Sequence, residues 1–150
     1  MNDISASKGC PLWLEFICYA VISGAFTLFF GGGIIEAATS LLIGLAIRSV
    51  ILLSDITVKN KIFAKFLAAF TATALANLAM LTGIIPGVDK VIIGAIMTLV
   101  PGIGLTNAVR DLFVGDSIAG LLRTIEACMI ALAIAAGYFL FSFLTGGTAI

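Results

Sequence analysis

Four stretches of this chain run for 19 to 24 residues without a charged side chain: Phe16 to Ile35, Phe66 to Val88, Val91 to Val109 and Ala127 to Ile150. A helix needs ~20 apolar residues to cross ~30 Å of hydrocarbon, and a charge near mid-bilayer costs about 3 kcal/mol, so runs of this kind read as membrane spans. A fifth stretch, Ile34 to Leu53, carries only Glu36 near its start and Arg48 near its end, both within snorkelling reach of an interface. The expected fold is all-α, a polytopic membrane protein of five transmembrane helices. A short cytoplasmic segment, residues 1–11, precedes a transmembrane domain, 12–150, with helices over about 12–30, 34–53, 62–85, 91–110 and 118–144.

The composition agrees: 61% hydrophobic, 11% charged and a mean hydropathy of +1.24, where soluble domains are roughly half apolar and about a quarter charged. Zero net charge leaves no basic field for nucleic acid. The absence of histidine removes Ser-His-Asp triads, imidazole metal sites and HExxH chemistry. Cys10, Cys18 and Cys128 are odd in number and lack CxxC spacing, which argues against a disulfide framework or a zinc site. Cys18 and Cys128 read as small packing residues, and no metal or cofactor is expected. The first apolar run ends without an A-x-A cleavage pattern, so it reads as a retained helix.

Gly31-Gly32-Gly33 is long enough only for a tight turn, so the first two helices should form a hairpin. Seven basic residues, Lys8, Arg48, Lys59, Lys61, Lys65, Arg110 and Arg123, fall on the side of the N-terminus, and Lys90 alone falls opposite. The positive-inside rule therefore puts the N-terminus in the cytoplasm and the C-terminus outside a bacterial-type inner membrane. Ala64, Ala68, Ala72 and Ala76 on the third helix, and Ala127, Ala131 and Ala135 on the fifth, recur every four residues. Both series read as flat ridges for close helix packing.

The fourth run is anomalous. Pro101-Gly102 lies about ten residues in, near the bilayer midplane, where proline removes an amide donor and disfavours helical geometry in Val100. Gly102 and Gly104 would then let the backbone bend. Broken backbone at this depth is tolerated where protein or a water-filled cavity solvates it. Thr106, Asn107, Arg110 and Asp111 follow within six residues, and a half-helix restarting near Ile103 would aim free amides and a positive dipole end at the break. Thr106 and Arg110 share one face, Asn107 and Asp111 its neighbour. Arg123 and Glu126 sit three apart on the fifth helix and could simply pair, while Asp116 reads as that helix's N-cap.

The stretch Gly94 to Arg123, GAIMTLVPGIGLTNAVRDLFVGDSIAGLLR, resembles the signature of the threonine/serine exporter family, as do Phe30-Gly31-Gly32-Gly33, Glu36 and Arg48. The resemblance implies that family's five-helix membrane half. It also implies export of small amino acids, or of a dicarboxylate such as succinate in two-component relatives, driven by the proton gradient. Family members usually carry a cytoplasmic domain ahead of the first helix, whereas here Met1 to Pro11 precede it. The implied partners are the lipid bilayer, a small-molecule substrate, and a second five-helix half or a further copy of the chain. An odd number of spans suits two units of opposite orientation.

On this reading Pro101, Gly102, Gly104, Thr106, Asn107, Arg110 and Asp111 bind substrate, with Asn107 and Arg110 foremost. Glu126 and then Glu36 are candidates for proton coupling, and Arg123 and Arg48 supply further charge. Glu36 has a plainer role open to it, since a carboxylate two residues into a helix meets the N-terminal dipole favourably. The competing reading is a membrane scaffold whose polar residues only fix packing. An intramembrane hydrolase would need a nucleophile and base, and no G-x-S-x-G motif or histidine is present.

Overall fold

A computed structural model describes residues 11–57 and 60–146. Lys8, Cys10, Lys59 and most of the expected 1–11 segment lie outside the described residues. Among those described there are six helices and no strand: α1 Leu12–Phe29, α2 Ile34–Thr57, α3 Lys61–Leu81, α4 Asp89–Met97, α5 Gly102–Val114 and α6 Ser117–Leu144. The long helices α1, α2, α3 and α6 are each long and apolar enough to cross a membrane. The short pair α4 and α5 passes that test only jointly and is bent by 52° between its halves.

Glycine sets the first turn. Gly31 has φ +80°, a conformation that a Cβ would oppose. The carboxylate of Glu36 accepts from the Gly33 amide at 2.7 Å, which satisfies an orphan donor at the start of α2. α1 and α2 then run antiparallel at close range. A Cβ at Gly44 would stand 2.6 Å from the Tyr19 carbonyl oxygen, and the hydroxyls of Ser23 and Ser40 are 2.6 Å apart. Such approach, with hydroxyls bonded across the seam, replaces the hydrophobic drive that lipid cannot supply.

α3 begins under the side chain of Asn60, whose Oδ1 accepts from the Ile62 amide at 3.0 Å. Its alanine ridge is buried throughout, with Ala64 2% exposed and Ala68, Ala72 and Ala76 fully covered. The helix stops at Leu81 instead of continuing to residue 85, because Gly83 turns left-handed (φ +72°) and Pro86 follows. α2, conversely, extends past Leu53 to Thr57.

α4 is wedged among α1, α2 and α3, with Val91 and Ala95 buried and Leu99, just past its end, buried too. Gly94 permits this: a Cβ there would fall on Thr27 Oγ1 and lie 2.9 Å from the Ser23 carbonyl oxygen. The span over 91–110, expected to be broken at Pro101-Gly102, is two helices, Asp89–Met97 and Gly102–Val114. The bend precedes the glycines rather than using them. Gly102 and Gly104 both lie inside α5 without positive φ, and the change of direction falls between Met97 and Pro101.

α5 leaves the bundle and packs on α6, and Ala108 is its buried residue. α6, about 42 Å long at 1.5 Å per residue, divides its contacts. Gly120 meets Leu112 of α5, while Gly137 lets α6 touch the α3 backbone, its added Cβ being 2.5 Å from the Phe66 carbonyl oxygen. Here the alanine periodicity misleads. Ala127 is buried, but Ala131 and Ala135 are exposed, and the packing face runs through Gly120, Ala127, Ile134 and Gly137. A spacing of seven keeps one face toward a neighbour where a spacing of four drifts around a straight helix. Cys18 and Cys128 are likewise exposed on the bundle surface, not packed within it.

Candidate functional site between α5 and α6

Where α5 diverges from α4, a cleft of about 250 Å³ opens between α5 and α6, lined by Pro101, Gly104 and Asn107 on one wall and Arg123, Glu126, Ala127 and Ile130 on the other. The proline shapes its upper end. Pro101 precedes α5 with no side-chain cap; the Gly102 amide bonds the Val100 carbonyl at 2.8 Å and the Leu105 amide bonds that of Pro101 at 3.0 Å. The amides of Ile103 and Gly104 therefore remain the open donors of the first turn, at the positive end of the helix dipole. Gly104 adds no side chain in front of them.

The lower end is fixed by charge. Arg123 Nη1 donates to Asp111 Oδ2 at 2.6 Å, tying α6 to α5 close to the turn that joins them. That turn holds Gly115 at φ +94°, and Asp116 caps α6 by accepting from the Ala119 amide at 3.3 Å. Arg123 thus pairs across the hairpin with Asp111 and not along its own helix with Glu126. Glu126 has no ion pair among the described residues, although it lines the cleft.

The sequence candidates separate accordingly. Pro101, Gly104, Asn107, Arg123 and Glu126 come together in the cleft, with Asp111 beside it holding Arg123. Gly102 sits in the first turn, and Thr106 is turned back on its own helix, its hydroxyl donating to the Gly102 carbonyl at 2.8 Å. Arg110 does not line the cleft and is exposed. It lies three residues beyond Asn107, on the side of α5 away from Ala108 and Asp111. Glu36 and Arg48 belong elsewhere: Glu36 caps α2, and Arg48 pairs with Glu15. That α1–α2 ion pair could have been suspected, since Glu15 and Arg48 flank opposite ends of two antiparallel spans.

One prediction follows for the first turn of α5. The nearest heavy atom to a Cβ at Gly104 is 3.9 Å away, in Pro101. Gly104→Ala should therefore fold normally, with helix stability raised by about 0.5–1 kcal/mol. Its methyl group should nevertheless narrow the cleft and weaken substrate binding. Thermal unfolding of the purified variant, measured beside ligand binding, checks both halves.

The family described as "Putative threonine/serine exporter" matches residues 1–144. The chain belongs to that exporter family. No curated protein and no solved structure matches it. Membership makes the chain a membrane protein of a transporter family, and the apolar helices α1, α2, α3 and α6 agree with a multi-pass membrane location.

Proposed function

We propose that this exporter-family chain moves small zwitterionic amino acids, threonine and serine, out of the cytoplasm through the α5–α6 cleft, in exchange for protons. The observation that carries this reading is the charge balance of the cleft. Arg123 is neutralised by Asp111, Glu126 has no ion pair among the described residues, and the first turn of α5, on the same cleft, has no side-chain cap. An α-amino acid fits that pattern, its ammonium on Glu126 and its carboxylate on the Ile103 and Gly104 amides with Asn107 alongside. A dicarboxylate would meet one carboxylate with another, so succinate is the poorer ligand. Proton and ammonium would compete for Glu126, which couples the two fluxes through one group.

The bend between α4 and α5 makes room for the cleft, and the pair forms one broken span of five. The end of the bundle that holds Lys61 faces the cytoplasm, because the basic residues collect there. In a bacterial inner membrane, cysteine at Asn60 should then react only from the cytoplasmic side and cysteine at Gly87 only from outside; the reverse pattern would overturn the topology. A second five-helix unit completes the transporter, covering the outer face of α5, where Ile103 and Phe113 are more than four-fifths exposed.

Competition among threonine, serine and succinate in one proteoliposome assay tests the substrate class. Threonine and serine should displace one another and succinate should displace neither. Preferential succinate flux would reverse the assignment, and no flux of any of the three under a proton gradient would favour a scaffold.

A further inference from the structure

A second charged cluster lies away from the cleft, at the Lys61 end of the bundle. Thr27, Ser23, Tyr19 and Glu15 are spaced four apart on α1 and so form one stripe. α4 covers its upper half, with Gly94 against Thr27 and Ser23. α4 ends at Met97, and the 52° bend carries α5 onto α6 instead of down the stripe. Tyr19 and Glu15 therefore border the space that a straight fourth span would have filled, and both remain partly exposed.

Charges from two other helices reach this level. Arg48 of α2 bonds Glu15 and stands 5.7 Å over the Tyr19 ring. Lys65 of α3 lies within electrostatic range of Arg48 and of Asp55. The two cations and two carboxylates sum to zero, yet Arg48 is incompletely used: its Nε is buried with no hydrogen-bond partner among the described residues. A purely structural ion network would satisfy that donor, whose loss to an apolar contact costs more than an ordinary hydrogen bond returns.

We infer that this space is a water-filled vestibule that holds the zwitterionic substrate before it enters the α5–α6 cleft. The substrate carboxylate meets Lys65 and Arg48, and its ammonium meets Glu15 and Asp55. A neutral set of mixed charges accepts a zwitterion without leaving an unbalanced charge, whereas a dianion would leave one. The inference rests on the amino acid export reading above and adds a second site to it.

The test uses the full chain, reconstituted, with its native cysteines replaced by alanine and a single cysteine at Tyr19 or, as a second reporter one turn nearer the Lys61 end, at Phe16. A charged, membrane-impermeant thiol reagent should label both at rates within about tenfold of a cysteine at Lys61, and should leave one at the outward-facing Val21 unlabelled. Threonine should slow labelling at Tyr19 and Phe16 by about fivefold or more, equivalent to about 1 kcal/mol of occupancy, and succinate should not. Absence of labelling at both positions, or labelling that threonine leaves unchanged, would overturn the vestibule. A parallel cysteine at Asn107 separates the two levels: threonine protection there without protection at Tyr19 and Phe16 leaves the cleft standing and removes the vestibule, whereas protection at none of the three removes both.

Discussion

Glu126→Gln should lower threonine affinity by about 10- to 100-fold and abolish the dependence of flux on the pH gradient. The first figure follows from the ~1.5–3 kcal/mol that a hydrogen bond to a charged group contributes, at 1.4 kcal/mol per tenfold. Glutamine keeps the size and one acceptor of Glu126 but not the charge that holds an ammonium or the proton that alternates with it. The fold should survive, since Glu126 has no ion pair among the described residues to lose. Asp111→Asn is the informative contrast: it frees Arg123 beside the cleft, and should shift preference toward an anionic substrate. Equilibrium binding of labelled threonine and succinate to the purified variants measures both effects. Unchanged threonine affinity and undiminished proton dependence in Glu126→Gln would remove Glu126 from the site.

Gly94→Val should prevent a folded, monodisperse protein altogether. Overpacking a core usually costs ~1–3 kcal/mol because neighbouring side chains can shift. Here the obstruction is largely backbone: the Ser23 carbonyl oxygen and the Thr27 amide nitrogen each lie 2.9 Å from the first added carbon, and the Thr27 hydroxyl is closer still. That hydroxyl is itself fixed by its bond to the Ser23 carbonyl. α4 would have to back out from α1, uncovering Val91, Ala95 and Leu99. Size-exclusion profiles and protease resistance after membrane extraction report the outcome. Equal yields of well-folded Gly94→Val and Gly104→Ala would contradict the packing of α4 described above.

The two glycines also show what sequence can and cannot carry. Uncharged runs and the alanine ridge of α3 are properties of one helix, so periodicity and transfer cost expose them. Whether a glycine marks a bend or a close contact depends on what another helix presents, and Gly94 gives no local sign that Thr27 lies against it. The same holds for charge. Arg123 and Glu126 are one turn apart, a spacing that invites pairing, but the tight turn at Gly115 brings Asp111 nearer and leaves Glu126 without an ion pair among the described residues. Arg110 looked the strongest ligand by chemistry alone, permanently charged and bidentate. Its angular position, about 135° from the direction in which α5 meets α6 at 100° per residue, is what sets it outside the cleft.

That placement makes Arg110→Lys a mild change, within about twofold in flux, since snorkelling to headgroups needs charge and not a planar fork. Pro101→Ala bears on the central claim most directly. With the amide donor restored, α4 and α5 can join into one straight helix of about 25 residues, which draws α5 away from α6, dismantles the cleft and fills the space beside Tyr19 and Glu15. The decisive measurement is the initial rate of proton-driven threonine efflux by purified, monodisperse Pro101→Ala in proteoliposomes. A rate below about a tenth of the unmodified protein's, a loss of roughly 1.4 kcal/mol or more in transition-state terms, is the predicted result. Near-normal efflux would show that the bend is only a packing feature and that substrate passes elsewhere.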